Sequence, residues 1–182
     1  MVHALGMVEV NSIPKGIEAG DAMLKAADVS LAAAQTACAG KYIVIVTGDV
    51  AAVKAAVEAG RETAAETLVD SMIIPNVDPQ VVKAISACTE PDRYEALGII
   101  ETFSLAAAIV SADYAVKAAD ISLIEIRLGR GLGGKSFVTL TGDVAATRYA
   151  VETARGAEET QGMVARTVVI PSPHPDILKA IF

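Results

Sequence analysis

Few side chains in this sequence are equipped for chemistry. Cys38 and Cys88 come first, because a thiolate is both a nucleophile and a soft metal ligand. Two cysteines do not make a disulfide framework, so a reduced, cytosolic setting is the default. His3 and His174 stand alone and share no metal-ligand spacing with either cysteine. Gly129, Gly131 and Gly134 satisfy G-x-G-x-x-G, but a dinucleotide site needs a strand before that motif and a helix after it. Here the strand-like SFVTLTGD follows, so the glycines read as a flexible turn. Arg130 in that turn would favour anions, and a solvated loop arginine explains it equally well. Asp21 and Asp113 recur at matching positions, yet acids a whole repeat apart are no acid–base pair. No Ser/His/Asp or Cys/His arrangement is present, so no catalytic residue is assigned and the chain is not expected to be an enzyme. For an isolated cysteine the commonest fate is burial as a small hydrophobe, and that reading stands beside any metal role for Cys38. Cys88 falls in a polar linker and is given no metal role.

Composition narrows the classes. Of 182 residues, 53% are apolar but only 4% aromatic, and Trp is absent, so alanine and valine build the cores. Small-residue cores bury little area per side chain, which association between copies would offset. The mean hydropathy of +0.47 is high for a soluble protein. The Ala-rich runs are interrupted by Asp, Glu or Lys well before the ~20 residues that a membrane helix needs. The surplus apolar surface is therefore assigned to protein–protein interfaces. A net charge of −7 with scattered Lys and Arg excludes a nucleic-acid footprint, and no basic n-region precedes an apolar segment at the start of the chain.

The elements that must position these residues occur twice. Residues 4–31 align without a gap on 96–123; TGDVAA at 47–52 returns at 141–146, and IIPNVDP at 73–79 returns as VIPSPHP at 169–175. A period this long means two tandem copies of one small domain, placed at 1–90 and 91–182 with a polar linker, CTEPDRYE. Such a chain can build a ring of odd subunit number with doubled pseudo-symmetry. Within one copy, 4–10 reads as a strand and 15–27 as a helix, with Ile17, Met23, Leu24 and Ala27 at helical spacing. Residues 29–37 read as extended, and Cys38-Ala39-Gly40 as a turn. Residues 41–47 form a buried strand, and Asp49 caps a second helix. A strand at 67–74 stopped by Pro75, then a short helix after Pro79, complete the copy. In the second copy, SLIEIRL at 122–128 alternates Leu123, Glu125 and Arg127 against Ile124, Ile126 and Leu128. The order strand–helix–strand–strand–helix–strand is the split βαβ of an α+β, ferredoxin-like sandwich, with an antiparallel sheet and both helices on one face.

L-G-x-x-E leading to D-x-x-x-K-A-A-D is present at Leu5–Asp28 and at Leu97–Asp120. A glycine-containing turn and K-x-x-x-x-x-T-G-D-V-A-A follow both times, and an I-P pair ends each copy. This combination resembles the bacterial microcompartment shell domain, in tandem and unpermuted, over essentially the whole chain. Cys38 within T-x-C-x-G-K, Thr36 to Lys41, is similar to the iron–sulfur type of tandem shell protein in propanediol-utilisation compartments.

The resemblance implies a homotrimer of hexagonal outline that tiles edge to edge with other shell proteins, in a compartment shell within the cytoplasm. It places Ala37–Gly40 and Gly131–Gly134 at the symmetry axis, with Ala37, Ala39, Gly40, Leu132, Gly133 and Gly134 lining the pore. It gives Cys38, one from each of three chains, to a [4Fe–4S] cluster that moves electrons across the shell, to or from lumenal redox enzymes. One cysteine per chain cannot hold a cluster, but threefold symmetry multiplies it by three, and the remaining iron takes a ligand that is not cysteine. Gly40 is expected to let the turn donate N–H groups to sulfur. With Lys41 aligned on Lys135, Leu132 falls opposite Cys38, so the second turn supplies an apolar collar and no ligand. Lys25 and Lys117 match the family's tile-edge lysine; solvated helix ends are their other reading. The family's arginine in I-P-R-P-H is replaced by Asn76 and Ser172, and its role is not carried over. Three rivals remain: a metal-free shell pore for small polar metabolites, a soluble ferredoxin-like ligand-sensing oligomer, and a redox enzyme, against which the lack of an acid–base constellation counts.

Overall fold

The protein is seen here as a computed structural model that describes residues 4–86, 89–91, 93–129 and 131–181. His3, Cys88 and Arg130 lie outside the described residues. The chain divides into two compact units, Met1–Val82 with Gly129–Gly134, and Lys83–Leu128 with Lys135–Phe182.

The first unit runs β1 (Ala4–Val10), α1 (Ile13–Ala26), β2 (Val29–Ala37), β3 (Lys41–Gly48), α2 (Val50–Ala64), β4 (Leu68–Pro75) and the start of α3 (Pro79–Ser86). Its strands lie in the order β2-β3-β1-β4, with every neighbouring pair antiparallel. That order is what two interleaved split βαβ units produce. The period-2 alternation of β1 sends Ala4, Gly6, Val8 and Val10 to the helix side. There Ala4, Val8 and Val10 join Met23 of α1, Val44 and Val46 of β3, and Val53, Ala56 and Val57 of α2 in the core. Gly6 lets α2 lie against the sheet: a Cβ on it would fall 2.5 Å from Val57 Cγ2 and 2.7 Å from Val53 Cγ1. The opposite set, Leu5, Met7, Glu9, Ile43 and Ile45, is also buried, so β1 is covered on both faces along its whole length.

The second unit repeats the plan with β5 (Ala96–Thr102), α4 (Leu105–Ala118), β6 (Ser122–Leu128), β7 (Ser136–Gly142), α5 (Val144–Gly156), β8 (Val164–Pro171) and α6 (Pro175–Ile181). Its sheet order, β6-β7-β5-β8, is the first unit's order restated. The α+β split-βαβ architecture read from the sequence is therefore present twice.

Three local expectations need correction. The alternation read along 122–128 fails at its start. A register shift between Leu123 and Glu125 puts Leu123 opposite Leu140 and Ile126 opposite Val138, so Leu123 faces the helices with Ile126 rather than sharing a face with Glu125. An extra residue in one strand reverses facing, and β2 is shifted at the equivalent place, between Leu31 and Ala33. Asp49 stands at the N-cap of α2 without a side-chain capping bond, whereas Asp143 caps α5 by accepting from the N–H groups of Ala145 and Ala146, both at 2.8 Å. Helix α1 begins at Ile13, with Pro14 in its first turn where a missing N–H costs nothing, two residues ahead of the expected start.

Replacing Gly6 with Ala is expected to cost about 1–3 kcal/mol, because β1 and α2 cannot separate without opening the core. Gly156→Ala, at the end of α5 with nothing within 4 Å of the added Cβ, is expected to be neutral or stabilising. Thermal and urea unfolding of the two variants measures the contrast.

Candidate functional site

Strands β2 and β3 close through the turn 38–40, with Ala37 paired to Lys41. Both Ala39 (φ 64°) and Gly40 (φ 72°) take the left-handed conformation, so the tight turn is made by two residues and not by the glycine alone. Alanine at φ 64° is strained, and the pairing of Ala37 with Lys41 on either side of the turn holds it there. Ala37 is buried at the end of β2, Cys38 is half-buried, and Gly40 is exposed.

A second turn, between β6 and β7, belongs to the same compact unit as Cys38. Gly129, Gly131, Gly133 and Gly134 all have positive φ, which curls successive N–H groups toward one side. The N–H of Cys38 donates to the Gly129 carbonyl at 2.7 Å, and the Gly131 N–H donates to Cys38 Sγ at 2.9 Å. The thiol pKa is pulled below its ordinary value, first by the Leu132 N–H and then by those of Gly134, Gly133 and Gly131; partial burial opposes them. Oriented amides stabilise the thiolate because each places a partial positive charge at sulfur. The expected donors on the Gly40 side are thus replaced by donors from the other turn. Sequence reading took those glycines only as a flexible collar. The signal that marks them is glycine at four of six positions, more than one tight turn requires. The motif also stands between two strands, where a helix following it would be needed for a dinucleotide site.

The glutamates that end the two L-G-x-x-E motifs pair with the lysines that flank the turns, a pairing not read from the sequence. Lys41 Nζ lies 2.6 Å from Glu9 Oε1, and Lys135 Nζ lies 3.2 Å from Glu101 Oε1. Glu9 is buried, so Lys41 is its compensating charge and anchors β3 where the Cys38 turn ends. The equivalent lysines Lys25 and Lys117 each pair with the acid four residues before, Asp21 and Asp113. That accounts for the recurrence of those acids. Asn76 (φ 57°) and Ser172 (φ 48°), at the positions after I-P, both form left-handed turns. His174 is exposed, and its Nδ1 accepts from the Asp176 N–H at 3.2 Å. Among the described residues no three His, Cys, Asp or Glu side chains converge as a metal site.

Two α+β domains in tandem, each closing a strand–strand turn rich in small residues, define a class of repeat-built protein. The chain belongs to the bacterial microcompartment (BMC) shell family: the BMC domain matches residues 4–77 and again 96–173. It is 42% identical to the shell protein PduT of Citrobacter freundii over 174 residues, covering 96% of this chain and 95% of the relative. Over 90 residues it is 51% identical to the shell protein PduA of the same organism, covering 49% of this chain. A crystal structure of a microcompartment protein from Desulfitobacterium hafniense superposes with a TM-score of 0.93 at 55% identity, covering 99% of both chains. A fused permuted hexameric shell protein of the RMM microcompartment superposes with a TM-score of 0.60 at 25% identity, covering 83% of this chain and 81% of that one.

The metal-free protein is expected to alkylate at Cys38 with a pH midpoint below that of an ordinary thiol, since the amide donors favour the thiolate. Iodoacetamide labelling against pH, followed by peptide mass mapping to separate Cys38 from Cys88, measures it. Gly131→Pro, which cannot hold φ 70° and so removes the closest donor together with the turn geometry that aims the others, is expected to move the midpoint back up.

Proposed function

We propose that this shell subunit assembles as a homotrimer in which three Cys38 thiolates, one per chain, hold a [4Fe–4S] cluster that carries electrons across the shell. The observation that supports it is the cradle of N–H groups around a half-buried thiol. Cluster thiolates take such hydrogen bonds, which also tune the reduction potential. The donor set of a single chain is one sulfur, and it fits a cluster only when copies are combined about an axis. When bound, the cluster supplies one-electron chemistry. The chain's own residues hold and orient the sulfur: Ala39 and Gly40 set the turn, Gly129 fixes the Cys38 N–H, and the second turn offers donors. In the same reading Ala37, Ala39, Gly40, Leu132, Gly133 and Gly134 surround the opening. Lys25 and Lys117 meet neighbouring tiles, and lumenal redox enzymes exchange the electrons.

Anaerobic reconstitution with iron and sulfide is expected to give a brown trimer with about four irons. Cys38→Ser should abolish the colour and the electron paramagnetic resonance signal of the reduced form while leaving the trimer intact. A wild type that stays colourless would rule out the cluster and leave a metal-free pore.

A further inference from the structure

We infer that Gly129, Gly131, Gly133 and Gly134 of the β6–β7 turn are glycine in order to hold left-handed backbone, and that the amides so aimed at Cys38 Sγ set the reduction potential of the site. Their role is positioning: they act through the backbone on a thiolate that does the binding. This role rests on the cluster reading proposed above and adds to it which residues fix the potential and why they carry no side chain.

Glycine serves a turn in two ways, by giving room and by giving conformation, and here the two separate. A Cβ added at Gly131, Gly133 or Gly134 would meet nothing within 4 Å in the chain. Room within the chain is therefore not what these positions supply. What they share is φ, at 70°, 62° and 87°, with Gly129 at 56°. Residues with a side chain rarely hold such values; asparagine does so most readily and β-branched residues least. The turn fills 129–135, against 38–40 for its counterpart in the first repeat, and the added length lets it curl about the sulfur.

A planar peptide carries its N–H wherever the flanking dihedrals turn it. The Leu132 N–H lies on the peptide after Gly131, and the Gly134 N–H on the peptide after Gly133. Leu132 comes first among the amides that favour the Cys38 thiolate, then Gly134, Gly133 and Gly131, against partial burial. The Gly131 N–H donates to Sγ at 2.9 Å, and the Gly129 carbonyl accepts from the Cys38 N–H at 2.7 Å. The two turns thus hold each other by a bond in each direction. A change of backbone at 131–134 reaches the sulfur without passing through any side chain.

Each amide places a partial positive charge at sulfur. Adding one electron to the bound cluster puts more negative charge on its thiolates, and the amides favour that reduced form. Donors therefore raise the potential, and their loss lowers it.

Gly131→Val, Gly133→Val and the matching asparagine variants, each made in the full chain, test it. All are reconstituted anaerobically with iron and sulfide, then titrated with dithionite and mediators while the electron paramagnetic resonance signal is followed. Sedimentation velocity and an iron count establish which variants are loaded trimers. The valine variants should shift the midpoint to more negative values, and their Fe–S(Cys) stretching bands in resonance Raman spectra should move as donation to sulfur is lost. The asparagine variants should keep the wild-type midpoint and bands. A valine variant that assembles but takes no iron, beside an asparagine variant that does, supports the same role, since the amides are then needed to hold the thiolate at all. Loaded valine variants with the wild-type midpoint overturn the inference. So do asparagine variants that shift as far as valine, because the glycines would then serve to leave room at the axis. A wild type that takes up no iron overturns the cluster reading and this role together, which keeps the two failures apart.

Discussion

A four-stranded sheet has two faces, and two helices cover only one of them. That constraint governs most of this molecule. In the first unit the uncovered side is buried, and β1 is apolar throughout but for Glu9, which Lys41 neutralises. In the second unit the same side is left with Ile99, Phe137 and Val168 only partly covered. Burying it would recover roughly 25 cal/mol per Å² of apolar surface. The high mean hydropathy fits a chain that leaves apolar surface open.

The turns at the strand ends serve a different purpose. Neither contributes a core side chain beyond Ala37, and several of their residues hold left-handed backbone. Strain of this kind persists where the surrounding fold enforces it and is typical of functional positions. Here it aims amide groups at one sulfur. The second repeat lacks a cysteine, yet it participates through backbone donors. The two repeats have divided one site between ligand and support.

Much of the fold was legible because its signals are periodic or repeated. The valine-rich strands, the Gly-Asp turns before α2 and α5, and the I-P stops each occurred twice, so one copy checked the other. The bulges after Leu31 and Leu123 were not legible, since an extra residue leaves composition and local hydropathy unchanged while reversing which face a side chain takes. The different behaviour of Asp49 and Asp143 at identical TGDVAA motifs was hidden for a similar reason: whether a carboxylate reaches the helix N–H groups is decided by rotamer and neighbours. The ion pairs of Glu9 and Glu101 were missed because their partners sit over thirty residues away.

Residue order alone settled the tandem α+β architecture and singled out Cys38 as the side chain with chemistry to offer. Repeats and side-chain periodicity are properties of the chain itself. The direction from which that sulfur is stabilised, and the surfaces left uncovered, came only with the tertiary structure. Both depend on backbone curvature and on contacts between segments far apart in the chain, and no local pattern encodes them.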